Sequence, residues 1–207
     1  MHELASGIRL LQPEDYRRMP WKNGLGMTTE LAVFPPDAGL VDKPFDWRVS
    51  IADIDNHCEF SRFPGYDRSI LLIEGAGMEL SFDSAPSQRI DQPHLPFNFK
   101  GETQTYCRLL DGPVRDFNVM SARAKCTHAC EMPTSPGPIR WRQHSEILLI
   151  YCLSGGFSLE GLLDDQIEVN TGNTLLLEKR SDYTVVKNPK MSAFSKDTFA
   201  VSVYISA

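Results

Sequence analysis

The sequence predicts an all-β protein made of two small β-barrels in one chain. Three observations lead there. Apolar segments are short, of strand length, and fourteen Gly and fourteen Pro spread along the chain punctuate them. Helical periodicity is nearly absent. A strand–glycine–strand pattern also occurs twice, once in each half.

Taken in order, Pro13–Arg18 is the one stretch with helical character. Alternating or β-rich segments bounded by turn residues follow at Thr28–Phe34, Trp47–Ile54, Ser69–Glu74, Met78–Phe82, Thr105–Leu110 and Asp116–Met120. The second half continues the habit at Glu146–Leu153, Gln166–Asn170, Thr174–Glu178, Tyr183–Asn188 and Thr198–Ile205. The repeat is most visible where Ile70-Leu71-Leu72-Ile73 runs into Gly75-Ala76-Gly77-Met78-Glu79-Leu80. Its echo is Ile147-Leu148-Leu149-Ile150 followed by Gly155-Gly156-Phe157-Ser158-Leu159. Each reads as a hairpin with a glycine turn. Downstream, Gly172-Asn173-Thr174-Leu175-Leu176-Leu177 resembles the turn-plus-strand that follows such a hairpin in cupins. The expected architecture is therefore a bicupin, two cupin-like jelly-roll barrels. The Pro-rich stretch Met132–Pro138 joins residues 1–125 to residues 126–207, with strands exchanged between the halves.

Composition narrows the function. Twenty-one Lys+Arg against 27 Asp+Glu give a net charge of −6 over 207 residues, which argues against nucleic-acid or anionic-membrane partners. The longest apolar run, Ile147 to Leu153, is far short of a membrane helix. Met1-His2-Glu3-Leu4-Ala5-Ser6 has neither a basic n-region nor an apolar h-region, so a cytoplasmic location is expected. The five cysteines, odd in number and scattered, read as reduced thiols.

The unusual polar chemistry lies before residue 125. Trp21-Lys22-Asn23-Gly24-Leu25-Gly26 sets a cation and an amide in a glycine-rich turn, which suits either a site or an exposed turn around a packed Trp. In Phe45–Ala52 the alternation puts Arg48, Ser50 and Ala52 on one strand face and Trp47, Val49 and Ile51 on the other. A mid-strand Arg suits a polar pocket or a solvent-facing sheet equally. Asp116 and Asn118 likewise share a face opposite Phe117 and Val119, and Arg68 falls where a loop enters a strand.

These blocks resemble the HutD/Ves family. They are Trp21-Lys22-Asn23-Gly24, then Phe45-Asp46-Trp47-Arg48, then Phe60-Ser61-x-Phe63-Pro64-Gly65-x-x-Arg68, then Gly112-Pro113-x-x-Asp116-Phe117-Asn118-Val119-Met120. They come in the family's order and cover about Trp21 to Met120; the second half matches more loosely. The resemblance implies a bicupin with a modulating, non-catalytic part in bacterial histidine utilisation. The chain departs from the pattern at Leu25, which interrupts three successive glycines, at Cys58-Glu59, where Gly-Pro is usual, and at Ala122-Arg123, where an Arg pair is common.

Metal cupins need His-x-His with a carboxylate and a later His. No two of His2, His57, His94, His128 and His144 are separated by one residue, and His144 with Glu146 is the nearest echo. Cys126-x-His128-x-Cys130 has no second ligand pair and reads as structural, and no nucleophile elbow, phosphate loop or dinucleotide fingerprint occurs. No metal or cofactor is expected. What remains is cationic: Lys22, Arg48 and Arg68 would hold a small carboxylate metabolite, with Trp21, Asn23, Ser50, Phe60, Asp116 and Asn118 shaping the site. Glu30 and Asp116 offer the alternative that these cations sit in structural ion pairs. A second class of function is a metal-independent enzyme acting on a histidine-pathway intermediate, with Asp116 or Glu30 as base and Lys22 as electrostatic stabiliser. A third is a homodimer through edge strands of the second half.

Overall fold

The structure is a computed structural model that describes residues 2–5, 7–21, 23–39, 43–83, 85–93, 95–132, 137–138, 142–160, 166–179, 190–193 and 198–206. In chain order the strands of the first half are β1 (His2–Ala5), β2 (Ile8–Leu11), β3 (Arg17–Pro20), β4 (Gly26–Phe34), β5 (Trp47–Ile54) and β6 (Cys58–Glu59). They continue with β7 (Tyr66–Glu74), β8 (Met78–Phe82), β9 (Gln88–Ile90), β10 (Phe97–Lys100), β11 (Thr105–Leu109) and β12 (Val114–Ala122). The remainder are β13 (Thr127–Glu131), β14 (Gly137–Pro138), β15 (Ile147–Ser154), β16 (Phe157–Glu160), β17 (Ile167–Val169), β18 (Thr174–Glu178), β19 (Lys190–Ala193) and β20 (Phe199–Ser206). Tyr183–Asn188 and most of the Pro-rich connector lie outside the described residues.

Two compact units result, each a six-stranded sheet with a four-stranded one. The unit of residues 16–127 has the sheets β10-β7-β12-β5-β4-β3 and β6-β11-β8-β9. Their facing sides share one apolar core, to which the larger sheet gives Ile54, Ile70, Leu72 and Val114 and the smaller gives Met78, Leu80, Cys107 and Leu109. The other unit joins residues 1–15 to 128–207, with sheets β1-β2-β18-β15-β20-β13 and β14-β19-β16-β17. Its core sets Leu148, Ile150, Leu175 and Leu177 against Phe157, Leu159, Ile167 and Val169.

Three expectations change. The first fifteen residues, assigned above to the first barrel, belong to the other unit. The cause is β2, which pairs antiparallel with β18 from Leu11↔Thr174 to Ile8↔Leu177 and buries Ile8 in that unit's core. The helix expected over Pro13–Arg18 is a single 3₁₀ turn at Pro13–Asp15. Asp15 closes it twice, through its backbone N–H to Gln12 O (2.9 Å) and by accepting from Gln12 N (3.0 Å). The backbone from Arg17 is then recruited as β3 against β4, with Met19 opposite Thr28.

The glycine turns, third, are corners between sheets. β7 and β8 belong to different sheets, as do β15 and β16. At the first corner Gly75 and Gly77 have φ of +98° and +111°, and a Cβ on either would lie 2.6 Å from a backbone oxygen, of Pro113 or Ile90. Left-handed backbone and close approach together require glycine there. The repeated sequence thus marks the same jelly-roll corner in both units.

Candidate functional site

The unit of residues 16–127 holds a cavity of about 500 Å³, open to solvent on one side, on the inner side of its larger sheet. Strand alternation builds it. Arg48, Ser50, Ala52 and Ile54 of β5 line it, as do Asp116, Asn118 and Met120 of β12 and Arg68 of β7. Trp47, Val49 and Ile51, on the opposite face of β5, are also buried. Antiparallel register sets the side chains in rows. Met120 stands between Arg48 and Arg68, Asn118 between Ser50 and Ile70, and Asp116 between Ala52 and Leu72.

Two segments complete the wall. The chain around Trp21 is held by backbone bonds from Trp21 N to Gly26 O and from Gly24 N to Trp21 O, both 3.0 Å. Asn23 Oδ1 accepts from Leu25 N (3.1 Å), and Trp21 Nε1 donates to Thr28 Oγ1 (2.7 Å). A Cβ on Gly26 would lie 2.6 Å from Asp53 O and 3.0 Å from the Trp21 ring, so the turn depends on that glycine. Phe60 to Phe63 form the other segment, tied to residues 101–105 by Phe60 N to Thr105 O (2.9 Å) and Phe63 N to Gly101 O (2.7 Å).

The two cavity arginines differ in their partners. Arg48 Nε donates to Glu30 Oε2 at 2.6 Å, and Arg17 reaches the other Glu30 oxygen at 3.0 Å, both with Glu30 buried. Glu30 is therefore committed to two guanidiniums, which leaves it unsuited to act as a base. Arg68 has no carboxylate partner among the described residues. Its guanidinium carbon lies 4.8, 5.4 and 5.8 Å from the ring centres of Phe99, Phe60 and Phe63, close enough for cation–π attraction. Its one hydrogen bond among the described residues is long, 3.5 Å from Nη1 to Ser61 O. Burial pushes Arg68 down to about 10, opposed by Asp116 and assisted by Arg48, so it stays charged at neutral pH.

Asp116, only 1% exposed, is pushed up to about 7 by burial, against the pull of Arg68 and of the Asn118 amide. Asn118 Nδ2 donates to Asp116 Oδ1 at 3.4 Å. Among the described residues, four buried polar atoms of the cavity have no hydrogen-bond partner: Arg48 Nη2, Arg68 Nε, Asp116 Oδ2 and Asn118 Oδ1. Buried polar groups in folded proteins are nearly always paired, with protein or with water, and these four stand on one wall of the cavity.

The structure thus brings Trp21, Asn23, Arg48, Ser50, Phe60, Arg68, Asp116 and Asn118 to one cavity; Lys22 lies outside the described residues. Asn23 is exposed, and its carbonyl oxygen serves the turn. Ala52, Ile54 and Met120 also line the cavity, and the two-residue period through Arg48-Ser50 and Asp116-Asn118 contains the signal for them. Met19 and Thr28 arrive through the β3–β4 register, which no local pattern announced.

The buried charged groups lining the cavity are Arg48, Arg68 and Asp116. Two guanidiniums beside one carboxylate form a donor set that repels a cation, so the residues do not fit the metal centre of other cupins. Among the described residues no group of three or more His, Cys, Asp or Glu is placed to hold a metal ion, and no helix is long and apolar enough to cross a membrane.

Fold and site define a cupin-like β-barrel protein with an arginine-lined interior. The fold is similar to that of a Cupin 2 conserved barrel domain protein from Leptotrichia buccalis, with a TM-score of 0.53 at 8% identity over 92% of this chain and 96% of that one. The HutD family model matches residues 13–194, and the chain belongs to the HutD family. HutD from Pseudomonas fluorescens SBW25, solved in a formate condition, is similar with a TM-score of 0.77 and 29% identity, covering 96% of this chain and 98% of that one. An uncharacterised 21.2 kDa protein in the hutC 3′ region of Pseudomonas putida is 47% identical over 120 residues, which are 56% of this chain and 60% of that protein. Protein Ves of Citrobacter koseri is 39% identical over 54% of this chain and 58% of its own length. The chain therefore spans about three-fifths of these two relatives.

Proposed function

We propose that this HutD-family protein binds a small carboxylate metabolite without a metal, and that the bound state modulates histidine utilisation. The observation carrying the reading is Arg68: a buried cation with an unpartnered Nε, caged by three aromatic rings and open to a cavity. An anionic oxygen is the natural complement of that atom. Arg48 Nη2 offers a second donor from the same row. Lys22, next to Trp21 in the sequence, is a further cation of the reading, while Trp21, Asn23, Ser50 and Phe60 shape the space. HutD of P. fluorescens was solved in a formate condition, and formate is the smallest carboxylate. The pathway context is that of the HutD family and of the P. putida relative in the hutC 3′ region.

The test is a thermal-shift screen followed by calorimetric titration. Its compounds are histidine, urocanate, formiminoglutamate, formylglutamate, glutamate and formate, with metals and a chelator alongside. A carboxylate that raises the melting temperature, with no response to metal or chelator, supports the reading. Silence from every carboxylate overturns it.

Asp116 favours a second reading, a metal-independent enzyme acting on a histidine-pathway intermediate. A buried carboxyl at about 7 with a free Oδ2 meets the requirement for a proton acceptor at neutral pH. Turnover of one of those compounds, lost in Asp116→Asn, would replace the binding reading. The proposal also includes a homodimer through edge strands of the unit of residues 1–15 and 128–207; sedimentation as a monomer at micromolar concentration removes that part.

A further inference from the structure

We propose that the cavity selects a carboxylate whose other end carries an N–H donor, and that it rejects dicarboxylates of matched length. The inference rests on the carboxylate reading above and specifies the rest of the ligand. Its basis is the sorting of the unpartnered atoms. Both unpartnered donors, Arg48 Nη2 and Arg68 Nε, belong to the row centred on Met120. Both unpartnered acceptors, Asp116 Oδ2 and Asn118 Oδ1, lie further along the same face of β12. At the usual rise of about 3.3 Å per residue, Asn118 and Asp116 sit roughly 7 and 13 Å along the strand from Met120. The wall thus has a donor end and an acceptor end.

The Asn118 orientation follows from its neighbour. Its Nδ2 faces Asp116 Oδ1 at 3.4 Å, where the amide oxygen would be repelled, so Oδ1 is left for a ligand. Charge points the same way. Arg48 is paired with Glu30, which leaves Arg68 as the one buried guanidinium lining the cavity without a carboxylate partner among the described residues; Arg62, which also lines the cavity, is exposed to solvent. No ion pair joins Arg68 to Asp116, although each feels the other's charge. One ligand carboxylate satisfies the donor end. A second would meet Asp116 with like charge and leave two buried acceptors unpaired. A carboxamide, ammonium or ring N–H supplies what they lack.

Burial holds Asp116 near 7 against Arg68 on β7 and Asn118 on its own strand, with Asp53 on β5 adding to the rise. At pH 8 it is therefore mostly the carboxylate. The experiment is calorimetric titration of the full chain at pH 8 with succinamate against succinate, glutaramate against glutarate, 4-aminobutanoate, and formate as the minimal carboxylate. The amide- or ammonium-bearing monocarboxylates are expected to bind about ten-fold or more tighter than the matched dicarboxylates. In Asp116→Asn, confirmed folded by its melting curve, that ratio is expected to fall toward one. Dicarboxylates binding as well as their amides overturns the inference and leaves the carboxylate reading standing. No binding by any compound, formate included, overturns the reading beneath it. An unchanged ratio in Asp116→Asn also overturns the inference, and the wild-type ratio decides the matter even where the variant fails to fold.

Discussion

Arg48 and Arg68 stand directly opposite Met120 on its two neighbouring strands, so two guanidiniums occupy one row of a barrel interior. Only Arg48 has a carboxylate within ion-pair distance among the described residues. The arginines therefore divide the labour, one bound into the sheet and the other left for a ligand.

Arg68→Met should lose carboxylate binding by about ten-fold or more, because the buried guanidinium that has no carboxylate partner among the described residues is gone. Its melting temperature should stay level or rise, since a flexible apolar chain of similar length replaces a desolvated charge among Phe60, Phe63 and Phe99. Titration and scanning calorimetry on the same sample check both. A lower melting temperature with intact affinity would assign Arg68 to the core instead.

Arg48→Ala should be costly to the fold. It strips Glu30 of its buried partner and leaves only the pairing with Arg17. Removing one member of a buried pair costs about 3–5 kcal/mol, and the surviving Arg17 contact reduces this to about 2–3. For a protein of this size the melting temperature should fall by roughly 5–10 °C. In a double-mutant cycle, Glu30→Gln should cost less in the Arg48→Ala background than in wild type.

Asp116 gives a signed pH dependence. Its folded value, about 7, lies above the ordinary 3.8, so the folded state holds a proton that the unfolded chain has released between those two pH values. Stability from this group is complete below about pH 4 and declines as pH rises, levelling off above about 7. Asp116→Asn removes that slope. Melting curves from pH 5 to 8 should show the wild type losing more stability than the variant, by on the order of 1–3 kcal/mol. Parallel curves would show that the carboxyl titrates normally.

Gly26→Ala should destabilise by about 1–3 kcal/mol, because the added carbon meets Asp53 O and the Trp21 ring. The displaced indole should also change the intrinsic fluorescence. Gly24→Ala meets nothing within 4 Å but has φ of +70°, so its cost should be only about 1 kcal/mol, with fluorescence kept. Equal effects in the two variants would count against the Trp21 packing.

Much of the site is legible in the sequence because strand alternation is local. Arg48 with Ser50, and Asp116 with Asn118, share a face whatever packs around them. Which face turns inward is not legible, because β5 is buried on both sides: Val49 and Ile51 are as enclosed as Arg48 and Ser50. The usual rule of apolar inside and polar outside then carries no information. The strand Arg17–Pro20 escapes for the opposite reason. Its exposed residues show no apolar period, and the backbone of β4 recruits it. The glycine corners read as hairpins in the sequence because a turn motif fixes where the chain bends and not which sheet receives it.

The partnership of β2 with β18 has a consequence for the order of events at the ribosome. Leu11 emerges long before Thr174, its neighbour in the finished sheet. At about 5–20 residues per second the delay is on the order of 10–30 seconds. Residues 16–127 need nothing from later in the chain to complete their two sheets. The arginine-lined chamber can therefore close while synthesis continues, with the leading strand still waiting for its partner.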